Sequence, residues 1–378
     1  MARTDWEYRN SQFINRPTPR TADDGTRIGT TVGTLSDPTI DEVPVIPLLT
    51  FTLLLGPVQC SVESSLVTDG RNIRQFAFDG DTKTAFASKE PARSGDHLTL
   101  HFDRVVEVRS LTVSLGEAST ADVVLEASTD GKSFSPIAEF TKGKAKTTRT
   151  HKVRALRVRA VKDADKPLVV REFAIDTTPG VAPFRFPIEF ELDVADAPEM
   201  KAWAENVISI CERHYPMICT ELGSDGYDPP TQIRMAFKSD YNGVAEAAGT
   251  RIRGSVKFFK RNPNDIGAMI HETAHCVQRY RQRGIPGWLV EGIADYVRFW
   301  KYEPGKAGRL NPDTAQYNGS YRTTAAFLAY VSDRYDPKAV NKLNALLREG
   351  RYEADSWRVI TGKSVEELNQ EWRRSLVR

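Results

Sequence analysis

The chain is 378 residues long, more than one typical domain needs, so its length favours two domains. Hydrophobic residues make up 40% of it and charged residues 27%, a composition that can bury sizeable cores and is typical of a folded globular protein. The 52 basic and 50 acidic residues leave a net charge of +2, and this balance argues against a nucleic-acid partner or a strongly acidic one.

The N-terminal region, residues 1–61, combines a polar stretch with a short apolar one. Residues 1–42 are rich in Arg, Thr, Asp and Pro, which predicts disorder. The apolar stretch 43–55 is 13 residues long, too short to cross a bilayer but long enough for the core of a signal peptide. Asp41 and Glu42 precede it, where a signal peptide carries positive charge. Either the true start lies close to the apolar stretch and the protein is secreted or extracytoplasmic, which we favour, or this stretch is a buried strand or helix.

An all-β domain is predicted over residues 62–177. Apolar residues alternate with polar ones at Leu98, Leu100 and Phe102, the period of a half-buried strand. Asp130-Gly131 lies between two such runs and is a hairpin signal. Several short strands separated by turn signals predict a β-sandwich or jelly roll.

Four short segments of this domain carry a family pattern: residues 78–81 (FDGD), 96–100 (DHLTL), 110–113 (SLTV) and 128–134 (STDGKSF). Through them the domain resembles a discoidin domain of the coagulation-factor C-terminal type. The resemblance implies glycan binding and, as in some such domains, a structural calcium ion near the Asp-Gly-Asp turn. Asp79, Asp81 and Glu172 would supply the hard oxygen ligands that Ca²⁺ prefers. The alternative is a plain Asx turn with a surface glutamate.

Residues 178–185 are rich in residues that break helices and strands, and they predict a linker to a second domain over residues 186–378. The second domain is predicted to open with a helix over residues 196–212. Cys211 and Cys219 flank the predicted helix end, where the chain could fold back on itself. Both a disulfide between them and a pair of reduced core thiols agree with the sequence.

Two strands are predicted before the motif that follows, over residues 231–237 and 251–259. A strand at the edge of a peptidase cleft can pair with the extended backbone of a substrate. Residues 251–259 are our candidate for that strand.

Residues 271–275 read His-Glu-Thr-Ala-His, the H-E-x-x-H pattern of zinc metallopeptidases. On a helix, residues four apart lie about 40° apart in rotation and roughly 6 Å apart along the axis, so His271 and His275 can reach one metal ion. Glu272 follows the first histidine directly and can lie beside the metal, where a general base takes a proton from water. The pattern predicts a Zn²⁺ site with His271 and His275 as ligands.

A second helix supplies the candidate for the third ligand, because Glu291 and Asp295 are again four residues apart. Gly284, Pro286 and Gly287 break the chain between the two motifs, so the second helix can turn back towards the metal. We expect Glu291 to bind zinc and Asp295 to accept a hydrogen bond from a histidine ligand. Solvated helix charges are the alternative for both carboxylates.

The run from residue 269 to residue 300 resembles the basic secretory protein family, metallopeptidases of plants and bacteria, and the likeness extends more loosely over about half the chain. The resemblance implies the same three zinc ligands, with Glu272 as the base. This ligand pattern is of the glutamate-zincin type. Downstream, Tyr321 lies in a segment similar to the helix that follows the site in this family. Its phenol could donate a hydrogen bond to the oxyanion of a tetrahedral intermediate, or it could simply pack.

Taken together, these patterns predict a multidomain chain in which an all-β, discoidin-like jelly roll precedes an α+β zincin-like domain. The function predicted is an exported zinc metallopeptidase that cleaves protein or peptide substrates, with the β-domain directing it to a surface or a glycan. A zinc amidase of cell-wall peptides and a peptidase restricted to glycoproteins are alternatives. A different class, a glycan-binding adhesin with a catalytically silent zincin domain, also agrees with the sequence.

Overall fold

The computed structural model describes residues 56–378 apart from positions 118, 120–121, 281–283, 320 and 378. The expectations for residues 1–42 and for the apolar stretch 43–55 therefore lie outside the described residues. Of the helices in the described part of the chain, none has both the length and the apolar character needed to cross a membrane.

The first domain is an antiparallel β-structure, as predicted. Its strands pair in the order β2-β8-β3-β7-β4-β5, and β1 and β6 also pair with β3. The long β3 organises the sheet, since its 19 residues pair with four other strands. Leu98 and Leu100 of β3 lie opposite Val158 and Leu156 of β7, and all four side chains are buried. The strand bounds are β1 Cys60–Ser64, β2 Phe86–Pro91, β3 His97–Leu115, β4 Val123–Ser128, β5 Ser135–Glu139, β6 Lys144–Thr147, β7 His151–Ala160 and β8 Pro167–Thr178.

The second domain is mixed α and β, which together with the first domain confirms the predicted fold class. Its four-stranded sheet has the order β11-β12-β10-β9, in which β11 is antiparallel to its neighbour and the other pairs are parallel. The strands are β9 Glu189–Asp193, β10 Gln232–Lys238, β11 Ala245–Ala248 and β12 Arg251–Ser255. The helices are α1 Lys201–Glu221, α2 Val256–Arg261, α3 Gly267–Gln278, α4 Gly287–Tyr296, α5 Tyr321–Arg334, α6 Ala339–Glu349, α7 Ser356–Thr361 and α8 Val365–Leu376.

The predicted edge strand is wrong in two respects. Strand β12 stops at Ser255, because the Ser255 hydroxyl accepts a hydrogen bond from the Phe258 amide and caps α2, so residues 256–259 are helical. Strand β12 is also internal to the sheet. The free edge beside α3 belongs to β11, which the sequence analysis did not single out.

Helix α1 also differs from the prediction, because it continues through Pro216 to Glu221. A proline inside a helix costs about 3 kcal/mol. Burial of Cys211, Tyr215 and Cys219 on one side of the helix outweighs that cost. The two cysteines lie eight residues apart on one helix, roughly 12 Å along its axis, too far for the Cα separation of a disulfide. Both are reduced, so the thiol alternative holds.

The two domains meet through a partly buried ion-pair cluster. Arg74, in a short 3₁₀ turn of the β-domain, lies 3.3 Å from the Glu189 carboxylate of β9 and 3.1 Å from the Glu212 carboxylate of α1. Beside it, the Gln75 side-chain oxygen accepts a hydrogen bond from the Ile188 amide. Residues 57–378 accordingly form one compact unit.

Candidate metal centre

Helices α3 and α4 carry the predicted metal residues and bring them together. Helix α3 is almost wholly buried, so its histidines are held by packing on every side. Helix α4 crosses between α3 and α5, and Gly292 allows the close approach to α5. A β-carbon at Gly292 would lie 2.2 Å from the Thr324 methyl group, so a larger residue does not fit there.

The side chains of His271, His275 and Glu291 converge on one point. The two Nε2 atoms are 3.0 Å apart, and each is 3.1 Å from Oε2 of Glu291. In the described part of the chain, this is the one set of three His, Cys, Asp or Glu residues whose ligand atoms all lie within 4.8 Å of one another. Two of the three came from one short motif, whereas Glu291 reaches the same point from a different helix.

Each histidine is oriented through its other ring nitrogen. His271 Nδ1 lies 2.7 Å from Oδ1 of Asp295, which is where the sequence analysis expected this carboxylate. His275 Nδ1 lies 2.8 Å from Oε1 of Gln278. Both partners accept hydrogen bonds, so each Nδ1 carries a proton, and Nε2 is the nitrogen left to bind a metal ion.

Gln278 is the residue that the sequence analysis missed. Its amide nitrogen donates to the Val290 carbonyl of α4, which leaves its oxygen facing His275. The one available signal was its position three residues after His275, on the same helix face. Gln278 therefore links α3 to α4 and also holds the His275 ring in its orientation.

The site fits a divalent cation because two imidazole nitrogens and a carboxylate oxygen face one another, and a cation bound there would replace the protons that hold them together in the metal-free site. The hydrogen bonds and charges of the carboxylates act against burial and raise the pKa of His271 to about 10. Glu291 responds in the opposite sense: burial opposes its ionisation, but hydrogen bonds from both histidines hold its pKa far below the usual range. The centre therefore favours positive charge. Zinc ligands at about 2.0–2.2 Å in a tetrahedron lie roughly 3.3 Å from one another, close to the separations seen here.

Glu272 is buried beside this centre and is not one of the three converging ligands. Only 7% of the residue is exposed, and burial raises the pKa of its carboxyl group despite the opposing effect of the two histidines. Its charge also acts on Tyr241, which stands just before the edge strand β11 and whose pKa is raised to about 12 by burial and nearby carboxylates. Glu272 thus follows the first metal residue on the helix that packs against β11.

Tyr321 begins helix α5, and its ring centroid is 6.2 Å from that of His271. It is 40% exposed, so its ring borders the centre from the solvent side. The structure therefore brings the predicted oxyanion donor near the metal residues.

The predicted calcium residues form a different arrangement. Asp79 accepts hydrogen bonds from the Asp81 amide and the Thr84 hydroxyl, and Asp81 accepts one from the Lys83 amide, so both make Asx-type turns. Glu172 is buried, and burial with the charge of Asp79 raises its pKa to about 7. One of its carboxylate oxygens has no hydrogen-bond partner among the described residues. Calcium binding here stays a prediction.

Comparison with known proteins finds a family whose model matches the second domain. Residues 188–372 match the model of the BSP family, described as a peptidase of plants and bacteria, which confirms the resemblance drawn from the sequence. No curated protein matches the chain.

Solved structures similar to the chain contain carbohydrate-binding modules. One is CBM32-1 of a family 31 glycoside hydrolase from Clostridium perfringens, with 16% identity and a TM-score of 0.27, covering 31% of this chain and 92% of that one. Another is chitosan-binding module 2, in complex with chitotriose, of a chitosanase/glucanase from Paenibacillus sp. IK-5; it has 15% identity, a TM-score of 0.27 and coverage of 30% and 94%. A third contains the CBM32-1, CBM32-2 and M60 catalytic domains of Clostridium perfringens ZmpB, with 14% identity, a TM-score of 0.27 and coverage of 32% and 14%.

Proposed function

We propose that the chain is a zinc metallopeptidase whose metal is held by His271, His275 and Glu291. The observation that carries the proposal is the convergence of two Nε2 atoms and a carboxylate oxygen within 3.1 Å of one another. When bound, zinc would supply a Lewis acid for the scissile carbonyl and activate water at neutral pH. With three protein ligands, a position stays open for the reaction, as catalytic zinc sites require.

Glu272 is the proton carrier in this mechanism. It takes a proton from the attacking water and then passes it to the amine that leaves. Its buried position beside the three ligands supports this role, because a base there exchanges protons with the reacting atoms and not with bulk solvent. Asp295 and Gln278 keep the two imidazoles in the tautomer that binds metal.

The substrate backbone is proposed to pair with β11, Ala245–Ala248, the antiparallel edge of the sheet. An unpaired edge strand offers amides and carbonyls to an extended peptide. Tyr321, whose ring centroid is 6.2 Å from that of His271, would donate its phenolic hydrogen to the developing oxyanion.

Metal content and cleavage measured together test this function. We expect about one zinc ion per chain in the wild type, as one catalytic site predicts, with loss of metal in His271→Ala and Glu291→Ala. Glu272→Gln should keep the metal and lose cleavage of a peptide library. Metal-free wild type under zinc-replete conditions would contradict the proposal, and zinc without any cleavage would favour a silent zincin domain.

For the β-domain we propose a targeting role towards glycans, which rests on its discoidin-like segments and its antiparallel fold. Binding of the full-length Glu272→Gln protein to a glycan array tests this role, and absence of binding would contradict it. Export is part of the same proposal. N-terminal sequencing of the mature protein should find a terminus beyond residues 43–55, and a terminus at Met1 would contradict export.

A further inference from the structure

A cavity of about 360 Å³ lies at the start of helix α4 and against α7 and α8. Its walls are aromatic, with Trp288, Tyr317 and Tyr352 partly exposed to the space. Glu353 and Glu366 stand at its mouth, and both are exposed. A space of this size suits a small ligand or one long side chain.

The aromatic walls are held in fixed orientations. The Tyr317 ring stands at 83° to the Trp288 ring, with centroids 5.0 Å apart. Behind Trp288 lies Trp357, fully buried and nearly parallel to it at 20°. The Trp357 indole N–H donates to the Tyr352 hydroxyl, which ties the third wall to the same cluster. The cavity is therefore built in advance of any ligand.

The two glutamates at the mouth make no ion pair with the described residues. Within the described residues, neither the Glu353 nor the Glu366 carboxylate lies within 4.0 Å of a lysine or arginine nitrogen, although ion pairs are common elsewhere on this surface. The Glu366 charge, together with burial, raises the pKa of the Tyr317 phenol, which keeps it protonated. Aromatic faces and carboxylates both attract cations and repel anions.

Two segments of the chain carry residues of both the cavity and the reaction centre. Trp288 lies three residues before Glu291 on α4, and residues three apart on a helix are neighbours on its surface. Tyr317 lies four residues before Tyr321, whose ring contacts the His271 ring. An extended peptide advances about 3.3 Å per residue, so a side chain within roughly two residues of the scissile bond could enter the cavity.

We propose that this cavity binds an organic cation, namely the lysine or arginine side chain of a peptide held at the metal centre. The substrate part of this inference rests on the proposed peptidase function. The aromatic walls would enclose the alkyl chain and face the cationic group, while Glu353 and Glu366 lie where that group reaches solvent. The enzyme would then prefer basic residues near the cleavage site.

Binding to the full-length Glu272→Gln protein separates this preference from catalysis. Peptide pairs based on a sequence that the wild type cleaves, differing only in lysine or uncharged norleucine at one position, are titrated by calorimetry. At one position near the scissile bond the lysine peptide should bind roughly tenfold more tightly. Adding Glu353→Gln and Glu366→Gln should bring that ratio close to one, whereas the control Asp333→Asn, an exposed change on α5, should leave it unaltered. Equal affinities at every position would overturn the proposal.

A second titration, with N-acetyl-lysine methylamide against its norleucine analogue, tests the cavity without a peptide. Binding of the lysine compound alone, weakened by the two glutamine substitutions, supports the cation site even if the wild type holds no zinc and cleaves nothing. If the lysine compound binds in this way but the peptides show no lysine preference, the cation site stands and its role in substrate recognition is overturned. Failure of both titrations would overturn the inference while leaving the metallopeptidase function standing.

Discussion

Replacing Gln278 by leucine should weaken zinc binding while the apoprotein stays folded. Gln278 is 2% exposed and makes two hydrogen bonds, one from His275 Nδ1 and one to the Val290 carbonyl. Leucine has a similar volume but makes neither bond. His275 would then lose the partner that holds its proton on Nδ1 and its Nε2 towards the metal.

The expected magnitude follows from the partner that is lost. Removing the group that orients a ligating histidine typically lowers metal affinity by about 10- to 100-fold, or roughly 1.4 to 2.7 kcal/mol. The unsatisfied Val290 carbonyl and His275 N–H would each cost the fold about 1–3 kcal/mol, offset in part by burial of the leucine side chain. A net loss of about 2 kcal/mol leaves most domains folded.

Competition with a fluorescent zinc chelator at constant pH gives the dissociation constant, and thermal unfolding of the metal-free protein gives the stability. Thr273→Ser is the matched control on the same buried helix, because it keeps the hydroxyl that donates to the Met269 carbonyl. If Gln278→Leu bound zinc within a factor of two of the wild type, Gln278 would not orient His275 as argued here.

Three further changes test other parts of the structure. In calcium-free buffer, burial and a neighbouring aspartate raise the pKa of Glu172 from 4.5 to about 7, so its contribution to stability is present below pH 4.5 and lost as the pH rises through 7. Chemical unfolding should show that the free energy of unfolding falls on the order of 2 kcal/mol between pH 5 and pH 8, and Glu172→Gln should abolish this fall. If these carboxylates bind calcium, adding calcium should restore the stability of the wild type at pH 8. A stability that calcium leaves unchanged would count against that site. Arg74→Met leaves two partly buried glutamates unpaired and should cost about 2–3 kcal/mol in thermal unfolding, whereas the exposed Arg71→Met should cost nothing measurable. Gly292→Ala should lower the midpoint of thermal unfolding through overpacking worth about 1–3 kcal/mol. Adding Thr324→Ser removes the methyl group at 2.2 Å and should recover part of that loss, because the Thr324 β-carbon at 2.8 Å stays in place; no recovery would contradict the steric explanation.

Features that depend on a few consecutive residues were readable from the sequence. The spacing of His271 and His275 fixes their common helix face wherever the helix packs. The alternation at Leu98 and Leu100 likewise predicted buried strand positions, and both residues are fully buried in β3. Such features follow from backbone geometry, which the sequence pattern reports directly.

The errors arose where long-range packing overrides local preference. Pro216 marked a helix end by its own chemistry, yet burial of the surrounding apolar residues carries α1 beyond it. Ser255 looked like part of a strand because its apolar neighbours alternate, but it serves as a helix cap. The energies of core burial exceed those of single-residue propensity, and they depend on partners that are far away in the sequence.

The sequence alone therefore determined the chemistry of the centre: two imidazoles and a glutamate on one helix, and a carboxylate pair on the next. Only the tertiary structure decided how they meet, since the convergence of Glu291 on both Nε2 atoms depends on the angle at which α4 crosses α3. It likewise decided that β11 is the edge strand beside α3 and that Gln278 orients His275 through a bond to the other helix. Spacing along the sequence determines which side chains share one face of a helix, whereas packing between helices and strands determines which residues that face contacts.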